Sequence, residues 1–123
     1  MTHVLIVDDS PIARRIIRSC FPAGQWQFDE ASNGQEAVDK VRNAKPDLIF
    51  LDLTMPVMGG IEALEIIKSE AAHVRVVVAT ADVQKKVLTQ VMQLGASTLI
   101  KKPPTKETVA KALDLALGGS YGS

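Results

Sequence analysis

Short runs of continuous apolar residues alternate with stretches of helical periodicity five times along this chain, and that alternation limits the available folds more than any other feature. Residues 4–7 (Val-Leu-Ile-Val), 48–51 (Leu-Ile-Phe-Leu) and 74–79 (rich in valine) lack the in-out alternation of a half-exposed strand. Runs of this kind suit parallel strands buried on both faces. Residues 27–31 are more polar and read as an edge strand, and residues 98–100 read as a short fifth strand. Ser10-Pro11 reads as an N-cap followed by proline at the first helical position. Ala13, Ile16, Ile17 and Cys20 then recur at helical spacing, with Arg14, Arg15 and Arg18 as a stripe on the other side. Asn33 and Glu36 have the spacing of a capping box and open a second helix with Ala37, Val38 and Val41 inward. Pro56 and Gly59-Gly60 mark a loop before a helix carrying Ile61, Leu64 and Ile67. Asp82 is expected to cap a fourth helix with Val83, Val87, Val91 and Leu94, ended by Gly95. Thr105 opens the last helix.

Strands alternating with helices imply a doubly wound α/β sheet with right-handed crossovers. For five strands the expected order is the flavodoxin-like 2-1-3-4-5, with a switch point between the first and third strands. At 123 residues there is room for one core. Residues 1–117 are expected to form that domain, with 118–123 (Gly-Gly-Ser-Tyr-Gly-Ser) as a flexible tail. The 14 basic and 14 acidic residues balance, which argues against direct nucleic-acid binding. No apolar run is long enough to span a membrane, and a lone cysteine suits a reducing compartment, so a cytoplasmic location is expected. Trp26, the one tryptophan, is the natural optical probe of ligand binding.

In such a sheet, ligands sit outside the carboxyl ends of the strands, at the switch point. Asp8 and Asp9 follow the first strand and Asp52 follows the third, so the fold gathers three carboxylates from distant parts of the chain. Two carboxylates about 5 Å apart at an effective dielectric near 20 repel by roughly 3 kcal/mol, so the cluster calls for a cation or a proton. Hard oxygen ligands beside a phosphoryl partner point to Mg²⁺. Thr80 and Lys102 follow the fourth and fifth strands, and supply a hydroxyl donor and a compact positive charge at the same edge. Any one of these residues, taken alone, is better explained as a turn former or a solvated side chain. Their coincidence at one sheet edge is what favours function.

The runs Val7-Asp8-Asp9-Ser10, Asp52-Leu53-Thr54-Met55-Pro56-Val57-Met58-Gly59-Gly60, Ala79-Thr80-Ala81 and Lys102-Pro103 resemble the receiver domains of two-component response regulators, in order and spacing, over residues 3–117. The resemblance implies a stand-alone CheY-like receiver that is a switch rather than an enzyme. Asp52 would be the phosphoacceptor, taking a phosphoryl group from a histidine kinase or phosphotransfer protein. Asp9, Asp52 and the Thr54 carbonyl would bind Mg²⁺ directly, with Asp8 acting mainly through water. Lys102 and Thr80 would hold phosphoryl oxygens, and the Lys102–Pro103 bond would be cis. The output would be altered affinity for a downstream protein, in chemotaxis or motility control, read from the face around the fourth helix, fifth strand and fifth helix. By the same resemblance the first helix can dock the kinase.

The chain also departs from the family pattern. Leu99 stands where an aromatic residue usually reports the threonine's position, and Pro104 stands where phenylalanine is common after Lys-Pro. By the resemblance, Thr54 and Asp82 would fall at positions that tune dephosphorylation. Three other readings remain: a non-phosphorylated structural receiver, which the complete acidic set disfavours, a relay that hands the group to a second histidine protein, and a phosphatase with an aspartyl-phosphate intermediate. The last is disfavoured because such hydrolases need a second acid where this chain has Thr54. His3 and His73 lack metal-ligand spacing, and Cys20 reads as core.

Overall fold

The computed structural model describes residues 1–119 and Tyr121. Ten elements alternate along it: β1 (Thr2–Val7), α1 (Pro11–Ser19), β2 (Trp26–Ala31), α2 (Gly34–Ala44), β3 (Leu48–Leu51), α3 (Gly60–Glu70), β4 (Arg75–Thr80), α4 (Lys85–Gln93), β5 (Thr98–Lys101) and α5 (Lys106–Leu117). The strands form one parallel sheet in the order β2-β1-β3-β4-β5, the expected flavodoxin-like arrangement.

Alternate strand residues feed two cores. Val4, Ile6, Leu48, Phe50, Val77 and Ala79 pack with Ile17 of α1 and with Val109, Ala112 and Leu113 of α5. Leu5, Val7, Ile49, Leu51, Val76 and Val78 face α2, α3 and Val91 of α4. β1 and β3 are therefore apolar throughout because both of their faces are covered. β2 lies at the edge and is only partly buried, as its polarity foretells.

The caps are as expected for α1, α2 and α5. Ser10 Oγ accepts from the Ala13 amide, Asn33 Oδ1 from the Glu36 amide, and Thr105 forms a reciprocal box with Thr108. In α2 the reciprocal contact is displaced: Glu36 accepts from the Ser32 backbone amide and hydroxyl and from the Asn33 side-chain amide, rather than from the Asn33 backbone amide.

α4 departs from expectation. It begins at Lys85, its N-cap Gln84 gives no side-chain hydrogen bond, and Asp82 instead accepts from the Gln84 amide in a turn before the helix. Val83 consequently lies outside α4 and is exposed. Lys85 and Lys86 oppose the helix dipole in the first turn, and Val91 is the one fully buried residue of the helix. Ile17 of α1 and Cys20 at its C-cap are buried as expected, but Ile16 is 39% exposed and Ala13 only half-buried.

Trp26 pairs with Thr2, at the amino-terminal end of the sheet. It packs edge-on against Phe21 and tilted against Tyr121, with ring centroids 5.1 and 5.7 Å away, and its indole N–H donates to the Pro22 carbonyl. It therefore stands at the end of the sheet opposite the acidic edge, away from where ligand is expected. Of the expected tail, Ser120, Gly122 and Ser123 lie outside the described residues; Gly118 ends α5 with a left-handed backbone and the Tyr121 amide donates to Asp114.

Candidate functional site

Backbone hydrogen bonds carry the strand pairing one residue past the strand ends. The Asp8 amide donates to the Ala31 carbonyl, the Asp52 amide to Val7 and the Lys102 amide to Thr80, at 3.1, 3.0 and 2.9 Å. These bonds bring Asp8, Asp52, Thr80 and Lys102 to one edge of the sheet, with Asp9 next to Asp8. Among the described residues, Asp8, Asp52 and Thr80 are the buried polar ones, whereas Asp9 is exposed.

One carboxylate oxygen from each of Asp8, Asp9 and Asp52 lies within 4.8 Å of the others. Among the described residues this is the one group of three or more acidic, histidine or cysteine side chains close enough to share an ion. His3 and His73 are outside it, and Cys20 is buried with Sγ 3.7 Å from the Pro104 carbonyl. An all-oxygen donor set carrying three negative charges suits a hard divalent cation such as Mg²⁺.

Lys102 bridges the cluster. Its Nζ is 2.5 Å from Asp8 Oδ2 and 3.5 Å from Asp52 Oδ2. Burial works to lower the Lys102 pKa, but the Asp8 hydrogen bond and the Asp52 charge outweigh it, and the ammonium is held above its ordinary range. Asp52 is shifted the other way from a usual carboxylate. Burial raises its pKa, Asp8 adds to the rise, and Lys102 with the Leu53 and Thr54 amides offsets part of it.

Asp8 has every polar atom occupied. Its amide is held by Ala31, Oδ1 accepts from the Ser10 amide at 2.9 Å, Oδ2 accepts from Lys102, and its carbonyl accepts from Arg14 Nη1 at 2.5 Å. The Thr80 hydroxyl accepts from the Asp82 amide at 3.2 Å, so its own proton is left to donate. Thr54 is exposed in the loop after Asp52, and the Lys102–Pro103 bond is cis. Leu99 is half-buried against the α2–α4 core.

The loop from Asp52 to α3 closes tightly. The Gly60 amide donates to the Leu53 carbonyl, and a Cβ at Gly60 would overlap the Asp52 carbonyl oxygen and sit 2.7 Å from Leu53 Cα. Gly34 meets the same loop from α2: its amide donates to the Met58 carbonyl, and a Cβ there would lie 2.5 Å from that oxygen. The glycine pair reads in sequence as a loop marker, but its contact with the Asp52 peptide depends on the folded chain. Arg14 and Glu30 were also not legible as site residues, because their partners come from other elements. Only the Arg14 position, one helical turn beyond Ser10, hints at contact with the acidic loop.

Comparison with known proteins agrees with this geometry. The family description "Response regulator receiver domain" matches residues 4–114. The chemotaxis protein CheY of Thermotoga maritima is 36% identical over 91% of this chain and 94% of its own length. A protein-glutamate methylesterase/protein-glutamine glutaminase of Paramagnetospirillum magneticum is 46% identical over 81% of this chain, which spans 28% of that protein. Among solved structures, the CheX–CheY–BeF₃–Mg²⁺ complex from Borrelia burgdorferi superposes with a TM-score of 0.87 at 32% identity, covering 92% of this chain and 87% of that one. With its 2-1-3-4-5 sheet and acidic edge, this chain belongs to the receiver-domain family of two-component response regulators.

Proposed function

We propose that the chain is a phosphoryl-accepting switch in which Asp52 takes the group from a phosphohistidine and the change alters affinity for a downstream protein. The observation that carries this reading is the arrangement around Asp52: a buried carboxylate at the sheet edge, between two further carboxylates and a lysine.

An Asp52 carboxylate oxygen attacks phosphorus, the phosphorus–nitrogen bond to the donor imidazole breaks, and the ring nitrogen takes a proton from solvent. Asp9, Asp52 and the Thr54 carbonyl would hold Mg²⁺, with Asp8 acting mainly through water, and the bound ion would supply positive charge against the transferring group. Lys102 stands 3.5 Å from Asp52 and is ready to pair with a phosphoryl oxygen, while the Thr80 hydroxyl donates to another. Each contact exists only with the group in place, so each biases the loops after β4 and β5 toward a second arrangement. About 5.5 kcal/mol of differential interaction turns a 1:99 population into 99:1. α4, uncapped and thinly buried, is the helix most easily moved by that bias.

The donor is a histidine kinase or phosphotransfer protein, and residues 1–117 act as the switching unit, without turnover of a small substrate. CheY relatives support a place in chemotaxis or motility control. The single buried cysteine suits work in the cytoplasm, and among the described residues no helix is long and apolar enough to cross a membrane. The test is intact mass after acetyl phosphate with and without Mg²⁺. A labile phosphoryl adduct that needs Mg²⁺ and disappears in Asp52→Asn is expected; an adduct that persists in Asp52→Asn overturns the assignment.

A further inference from the structure

We propose that Arg14 is a positioning residue for the metal-binding edge, acting through a clamp that Glu30 completes and that fixes the peptide between Asp8 and Asp9. The inference rests on the reading above that Asp9 and Asp52 share a divalent cation.

Arg14 does not belong to a solvated stripe. Its side chain is 15% exposed, Nη1 donates to the Asp8 carbonyl at 2.5 Å, and Nε donates to Glu30 Oε1 at 2.6 Å. Arg15 faces solvent and Arg18 lies over the Phe28 ring, 4.8 Å from its centroid, so the three arginines do different work. Glu30 precedes Ala31 on β2, and the Ala31 carbonyl receives the Asp8 amide. Both backbone polar groups of Asp8 are thereby tied to the end of β2, the amide directly and the carbonyl through Arg14.

That carbonyl belongs to the peptide linking Asp8 to Asp9, so its orientation sets where the Asp9 side chain leaves the backbone. Among the described residues no hydrogen bond or ion pair holds the Asp9 carboxylate, and its placement is inherited from the backbone. A guanidinium fits the task because its planar fork reaches two acceptors at once, whereas an ammonium is a point charge without that geometry. Glu30 also neutralises Arg14, so the pair acts on the acidic cluster by geometry more than by charge.

The experiment measures Mg²⁺ binding by calorimetry, and the backbone order parameter of the Asp9 amide in metal-free protein by NMR. Wild type, Arg14→Ala, Arg14→Lys, Glu30→Gln and the distant control Arg42→Ala are compared. Arg14→Ala should weaken Mg²⁺ about tenfold, the lower end of the range for residues that orient metal ligands, and should lower order at Asp9. Glu30→Gln should show a smaller change of the same kind. Arg14→Lys should resemble Arg14→Ala, because it keeps the charge and loses the fork. Arg42→Ala removes an ion pair between α2 and α3 and should leave both readouts alone. Unchanged affinity and order in Arg14→Ala overturn the clamp, as does full recovery in Arg14→Lys. A wild type that binds no Mg²⁺ sinks the metal reading instead, and the Asp9 order parameter still decides the clamp.

Discussion

Lys102 is bound to Asp8 more closely than to Asp52: its Nζ lies 2.5 Å from the first carboxylate and 3.5 Å from the second. Asp8 is fully buried, so without Lys102 its Oδ2 would lose its charged partner. Removing one member of a buried pair is strongly destabilising, by roughly 3–5 kcal/mol. Lys102 is itself partly exposed, so Lys102→Met should cost less, about 2 kcal/mol in urea unfolding with a chelator present. Mg²⁺ should recover most of that loss, since the variant leaves three carboxylates with no ammonium among them. A variant as stable as wild type without metal would show that the pair is dispensable.

Gly60 touches the peptide that carries Asp52. Gly60→Ala puts a methyl group against the Asp52 carbonyl and the Leu53 backbone, neither of which is the free end of a flexible side chain. Destabilisation of about 2–3 kcal/mol is expected, together with slower phosphoryl uptake by the fraction that remains folded. Thermal unfolding and intact mass read the two effects separately. Normal stability with normal uptake would contradict the close approach.

Val57 is a β-branched residue with φ of 67°, in a tight turn where the Met58 amide donates to the Pro56 carbonyl at 2.7 Å. The side chain is 83% exposed and packs little, so the backbone strain has no compensating burial at this position. Val57→Gly should therefore stabilise the protein by about 1 kcal/mol, despite the freedom glycine adds to the unfolded chain. A lower melting temperature for the variant would refute this.

Asp29 accepts from Lys40 at 2.6 Å, and this hydrogen bond, first among its influences, holds the carboxyl below its ordinary pKa. A lowered folded-state pKa means that the stabilisation is complete above the unfolded value of about 3.9 and is lost as pH falls through the folded value. Both side chains are more than a third exposed, so the contribution at neutral pH is a few tenths of a kcal/mol. Asp29→Asn should be slightly less stable than wild type near about pH 6 and indistinguishable from it near about pH 2. A constant difference across that range would assign the effect to packing instead.

The sheet and its acidic edge were legible because continuous apolar runs identify strands covered on both faces, and because parallel strands send their carboxyl ends to one side. Asp8, Asp9, Asp52, Thr80 and Lys102 follow from that rule with no knowledge of side-chain contacts. The start of α4 did not follow: Asp82 makes an aspartate turn to the Gln84 amide, and in sequence such a turn resembles a helix cap. Arg14 was misplaced for a different reason. Helical periodicity tells which side of a helix a residue occupies, and it says nothing of a glutamate on another strand or a carbonyl in another loop.

The aromatic cluster at the amino-terminal end of the sheet has a practical consequence. Trp26, among Phe21, Phe28 and Tyr121, is far from any charge that changes when the acidic edge is filled. Its emission should follow whether the chain is folded and stay silent on what the edge holds. Denaturation curves read at this one fluorophore, with and without Mg²⁺ or beryllofluoride, can then be compared without optical correction. Their separation gives the occupancy-linked stabilisation directly, as RT ln(1 + [L]/Kd).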